Sequence, residues 1–143
     1  MDNLNLKVQP IMLVSVEVEN LPGQLADVTE ALAKADVNIE AINQIERAGS
    51  ASVEHLVVDD AEAAKAALEA LGKKVSMSEI LQFHCSDDRP GVIAAIARKL
   101  GDAGINIDNI YYSSIGRGQP AKVYVWVAKE NFANALQVSK ELE

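Results

Sequence analysis

The chain repeats itself. Leu21-Pro22-Gly23 returns as Arg89-Pro90-Gly91, and Leu25, Val28, Leu32, Val37, Asn38, Ile39 and Ile42 recur 68 residues later as Ile93, Ile96, Leu100, Ile105, Asn106, Ile107 and Ile110. A repeat of this period confines the fold to two copies of one supersecondary unit. The first three positions of each set are spaced i, i+3, i+7, the stripe of a helix with one buried face. Helices are therefore expected from about Pro22 to Ala35 and from about Pro90 to Ala103. Proline suits a first helical turn, where its missing N–H would have had no partner. Each helix should end at a residue that accepts the left-handed conformation, Asp36 in the first copy and Gly104 in the second.

A strand-like segment precedes each helix. Met12, Val14, Val16 and Val18 alternate with Leu13, Ser15, Glu17 and Glu19, and the counterpart is Ile80 to Cys85. Two β-rich runs follow each helix: Val37 to Ile45 with Ser52 to Val58, then Ile105 to Ile115 with Lys122 to Ala128. Turns containing Gly49 or Gly116-Arg117-Gly118 join them as hairpins. An alanine-rich helix, Ala61 to Leu71, is placed for capping by Asp59 or Asp60, and Asn131 to Leu142 matches it.

The order β-α-β-β-α is that of the split βαβ, an α+β ferredoxin-like module with helices on one face of a mostly antiparallel sheet. The expected division is residues 1–78, the first module with an N-terminal arm, and 79–143, the second. The first copy continues into Lys73-Lys74-Val75-Ser76-Met77, a fourth strand, and the second copy has no such segment. The arm Leu4-Asn5-Leu6-Lys7-Val8 alternates like an edge strand. It either fills that vacancy, within the chain or across a dimer, or is a frayed terminus.

Composition removes several classes of function. With 13 Lys and Arg against 21 Asp and Glu, the net charge of −8 repels a phosphate backbone, and no basic stripe offsets it. Nucleic acid and anionic membranes are thus excluded as expected partners, and no apolar run approaches the roughly 20 residues of a spanning helix. Met1-Asp2-Asn3 is not a basic signal-peptide start. The single cysteine, Cys85, offers no internal disulfide and no metal-ligand spacing, as expected of a cytoplasmic protein without a metal or other cofactor.

The strings Val18-Glu19-Asn20-Leu21-Pro22-Gly23 and Asp36-Val37-Asn38-Ile39 resemble an ACT domain. Ser86-Asp87-Asp88-Arg89-Pro90-Gly91 with Gly104-Ile105-Asn106-Ile107 resembles it a second time. The resemblance covers most of the chain and implies two ferredoxin-like βαββαβ modules, the second lacking its last strand. It also implies a regulatory role in amino-acid metabolism, an amino acid held where neighbouring copies meet, and sheets paired side by side. Implied ligand contacts are Asn20, Leu21, Gly23 and Asn38 in the first copy, and Asp88, Arg89, Gly91 and Asn106 in the second. Helix N-termini approached across glycine attract a carboxylate, and an asparagine amide can both donate and accept. Asp88 could pair with an ammonium group. The competing reading of Asn38 and Asn106 is that each closes a turn, a common role for the residue. Members that bind serine carry a histidine four residues before the proline, where this chain has Val18 and Ser86, so serine is not implied.

Other residues admit two readings. The face that reads Val14, Val16, Val18 in the first copy reads Gln82, His84, Ser86 in the second. Either a bulge or register slip turns Leu81, Phe83 and Cys85 toward the helix, or Gln82, His84 and Ser86 line a polar pocket and His84 joins the ligand contacts. Neighbouring His84 and Cys85 point to opposite faces of a strand and make no thiolate-imidazole pair. His55 reads as a satisfied sheet residue. Tyr111, Tyr112, Tyr124 and Trp126 are either core or interface. No enzyme constellation emerges. The expected function is a non-catalytic sensor of an amino acid or similar small molecule, homodimeric through unpaired sheet edges. The alternatives are a regulatory subunit docking on a biosynthetic enzyme, and a small-molecule enzyme using a pocket near His84 and Asp88.

Overall fold

The computed structural model describes residues 4–46 and 51–143. The expected turn at Gly49 lies outside them. The elements are β1 (Leu6–Val18), α1 (Gln24–Lys34), β2 (Ile39–Ile45), β3 (Ser52–Val58), α2 (Ala61–Ala70), β4 (Lys74–Cys85), α3 (Val92–Asp102), β5 (Ile107–Ser114), β6 (Ala121–Val127) and α4 (Phe132–Ser139). They form two compact units. One is Met12–Ser78; the other joins the arm through Ile11 to Glu79–Glu143.

In the first unit the strands lie in the order β2-β3-β1-β4. Antiparallel pairing sets Val14 opposite Leu56, Val16 opposite Glu54 and Val18 opposite Ser52. The period-2 pattern of β1 thus directs Val14, Val16 and Val18 onto Val28 and Leu32 of α1 and Ala64 and Leu68 of α2. Helix α1 stops as its sequence predicts, with Asp36 left-handed at φ 58°. Its start differs from expectation, since Pro22 lies in the turn before it and Gly23 is the N-cap. At α2 the carboxylate of Asp60 accepts the N–H of Ala63 at 3.0 Å, closing one of the amide groups a helix start leaves open.

In the second unit β4, β6 and β5 pair in that order, with Leu81 opposite Val125 and Phe83 opposite Val123. Leu81, Phe83 and Cys85 face the core with Val92, Ile96 and Leu100 of α3. The register slip is real and has a simple cause. Strand β4 ends at Cys85, five residues before Pro90, whereas β1 ends at Val18, four before Pro22. One extra loop residue reverses which alternate set is buried.

The arm fills the vacancy. Leu4, Leu6 and Val8 are buried in the same core as Phe83 and Cys85. The Val8 N–H donates to a carboxylate oxygen of Glu143 at 2.9 Å. Cys85, a buried free thiol, lies 3.5 Å from the Leu4 carbonyl oxygen. The arm precedes the first copy in sequence and completes the second in space. No helix among the described residues is long and apolar enough to cross a membrane.

Candidate functional site

Each copy presents a Pro-Gly loop at the start of its first helix. Gly23 has φ 89° and Gly91 φ 104°, the left-handed region where a side chain is strained. A Cβ at either glycine would meet nothing within 4 Å, so the requirement is conformational and not steric. Among the described residues no side chain caps α1 or α3. Apart from the Gln24 N–H, which donates to the Leu21 carbonyl at 3.4 Å, the amino-terminal N–H groups and dipoles of these helices face no side-chain acceptor and suit an anion. Leu21 is 55% and Leu25 43% exposed beside the first loop, apolar surface that a ligand could cover.

The two loops are held in opposite electrostatic senses. In the first copy the Asn20 amide donates to the carboxylate of Glu46 at 2.9 Å, at the surface. In the second the acid is on the loop: Asp88, only 8% exposed, accepts from the Tyr112 and Ser114 hydroxyls, one at each carboxylate oxygen. Those bonds hold its carboxyl below the usual carboxylate range, Ser114 contributing most and then Tyr112, and the same bond raises the Tyr112 phenol. The backbone reinforces the clasp. The Asp88 N–H donates to Gln119 at 2.9 Å, and the Gly118 N–H donates to the Asp88 carbonyl at 2.7 Å. Gly116-Arg117-Gly118 is thus a hairpin turn whose backbone ties down the Pro-Gly loop.

The asparagines are exposed. Asn38 is fixed by its backbone, which donates to Asp59 Oδ1 at 2.9 Å and accepts the Asp59 N–H at 3.1 Å, leaving its amide toward solvent. Asn106 donates to Asp108 at 3.2 Å. Arg89 is half-buried in the second loop. An open hollow of about 440 Å³ begins at Gly91 and runs along Ala94, Ala95, Ala97 and Arg98. Its one charged side chain, Arg98, lies 3.5 Å from Asp102.

His84 stands apart from these groups. It is exposed opposite Lys122, which pairs in turn with Ser113, so it shares a sheet face with Ser113 and not with Tyr112 and Ser114. His55 is a satisfied sheet residue, its Nδ1 2.9 Å from the Ser15 hydroxyl. The aromatic residues divide by strand alternation. Tyr111 and Tyr124 pair on one face, and burial pushes the Tyr111 phenol up to about 12. Tyr112 lies on the other face, over Asp88.

Two features escape a reading of the sequence. The Tyr112–Ser114 clasp is legible only as i, i+2 alternation on β5 once its register is known. Glu54 is hidden inside the apolar run of β3, yet it is fully buried on the helix-facing side with neither carboxylate oxygen hydrogen-bonded. Burial raises its pKa, partly offset by the charge of Lys73. Among the described residues no group of three His, Cys, Asp or Glu side chains could hold a metal ion.

Two split-βαβ modules in one chain, each opening its first helix at a glycine turn, define a tandem α+β protein of the ferredoxin-like class. An ACT domain model matches residues 12–74 and again 80–143. The chain belongs to the ACT domain family, in two copies. No curated protein matches it in sequence. Among solved structures it is similar to protein BT0572 from Bacteroides thetaiotaomicron, with TM-score 0.82 and 25% identity over 94% of this chain and 89% of that one. The regulatory subunits of aspartate kinase from Thermus thermophilus (TM-score 0.65, 19% identity, 96% and 95% coverage) and Thermus flavus (0.67, 20%, 96% and 96%) share the fold.

Proposed function

We propose that this protein is a non-catalytic regulator that binds an amino acid or a closely similar small molecule at its Pro-Gly loops. One observation carries the reading: both first helices begin at a left-handed glycine with no side-chain cap among the described residues, which leaves helix-start N–H groups to receive a carboxylate. Asn20, Leu21, Gly23 and Asn38 would surround a ligand in the first copy; Arg89, Gly91 and Asn106 hold the corresponding positions in the second. Asp88 acts differently from a free ammonium partner, because both its oxygens are engaged by Tyr112 and Ser114. His84 has no part in the reading. Ligand binding would work by differential affinity for two arrangements of the protein, which a partner then reads. The aspartate kinase regulatory subunits match this chain over nearly their whole length, which favours a metabolic enzyme as that partner. The net charge of −8 disfavours nucleic acid and anionic membranes. A cytoplasmic homodimer is the form we propose.

The test is thermal denaturation of the full chain with each of the twenty L-amino acids. A ligand bound only by the folded state raises the midpoint, by an amount that grows with its concentration above Kd. A rise with one or a few is expected, and none with any of them refutes amino-acid sensing.

A further inference from the structure

Buried polar groups without partners are rare, because each costs stability, and one that persists calls for a reason. The first unit has three such oxygens on one strand. Glu54 Oε1 and Oε2 and Ser52 Oγ are all buried and have no hydrogen-bond partner among the described residues. The two residues are i, i+2 neighbours on β3, so they share a face, and pairing with Val16 and Val18 identifies it as the face that packs on the helices. Val18 is the last residue of β1 before the Pro-Gly loop, which places the pair at the loop end of the module. Lys73 stands on the same side. Its ammonium donates to Gln24, the first residue of α1, at 2.7 Å, and its charge is felt at Glu54.

The second unit lacks this arrangement. Glu54 lies opposite Val16, and the residue opposite the matching Phe83 is Val123, a core aliphatic. Its loop acid, Asp88, is already taken up by two hydroxyls. An uncapped helix start, a nearby lysine and an unpartnered carboxyl make a zwitterion's complement: an anion at Lys73 and the α1 N–H groups, an ammonium at Glu54.

We propose that Glu54 and Ser52 form the polar floor of an α-amino-acid site beneath the start of α1, entered by movement of the Pro-Gly loop, and that the chain holds one such site, in its first copy. This rests on the amino-acid-sensing reading and deepens it by naming the ammonium acceptor and the stoichiometry.

The experiment is isothermal titration of the full chain with the L-amino acids that raise its melting point, on wild type, Glu54→Gln and, as a surface control on α1, Glu30→Gln. One ligand per chain is expected for wild type. Glu54→Gln should weaken binding about tenfold or more, since a charge-assisted bond becomes a neutral one. Glu30→Gln should bind as wild type does. Unliganded melting of Glu54→Gln at or above the wild-type temperature shows that it folds. Unchanged affinity in Glu54→Gln, as expected if only ordered water meets the buried oxygens, overturns the proposal, as do two ligands per chain. Absence of any amino-acid response in wild type instead overturns the sensing reading on which it stands.

Discussion

Exchanging Glu54 for glutamine tests the buried carboxyl apart from any ligand. The substitution conserves shape, so packing against Val16 and the helices is kept. What changes is the ability to ionise. A protonated glutamate and a glutamine are both neutral with unfilled hydrogen-bonding capacity, so below the ordinary carboxyl value of 4.5 the two proteins should agree within about 0.5 kcal/mol. Burial raises the folded-state pKa of Glu54 above its unfolded value. The folded state thus holds the proton more tightly, and the stability gained from that proton is present at low pH and lost as pH rises through the folded pKa. Leaving a buried polar group without partners costs about 1–3 kcal/mol, more when it is ionised, and the charge of Lys73 moderates that excess here. At pH 8 the glutamine variant should therefore be more stable by about 1–3 kcal/mol, or roughly 4–12 °C in melting temperature for a chain of this size. The assay is urea denaturation followed by circular dichroism, for both proteins, from pH 4 to 8. Taking the difference cancels the other carboxyls. Parallel curves, or a variant less stable at pH 8, would refute the reasoning.

Three further outcomes follow from the same geometry. Replacing Tyr112 with phenylalanine and Ser114 with alanine removes both donors to Asp88, whose carboxyl should then titrate closer to its ordinary value. Because that pKa is depressed in the fold, the clasp's stabilisation is present above the unfolded value and lost as pH falls through the folded one. The double variant should lack this acid-side loss and exchange the Gly118 amide faster, as carboxyl and amide NMR would show. Leu6→Ala should destabilise by about 2–5 kcal/mol if the arm belongs to the second core, and a loss under ~1 kcal/mol in urea melts would mean that it does not. Gly23→Ala and Gly91→Ala should each cost about 1–2 kcal/mol from backbone strain alone, since no atom crowds the new Cβ; calorimetry showing no loss would contradict the left-handed assignment.

Much of the architecture was legible in residue spacing. The 68-residue repeat, the helical stripes and the stop signals at Asp36 and Gly104 depend on local sterics and on which face is apolar, and both are written in neighbouring residues. The loops and their glycines were legible for the same reason. The start of α1 was not, because proline at a first turn and proline just before a glycine cap look alike in sequence and differ only in where the chain reverses.

Tertiary structure decided the rest. Whether Leu81, Phe83 and Cys85 or Gln82 and His84 faced the core depended on one added loop residue, and local alternation permits either answer until a helix covers one face. The arm's place in the second core, the pairing of Asp88 with Tyr112 and Ser114, and the isolation of Glu54 join residues from 24 to more than 70 positions apart, or depend on packing from several elements at once. Periodicity reports which side of an element is apolar. Only the folded packing determines what that side meets, and with it which polar groups are satisfied and which are not.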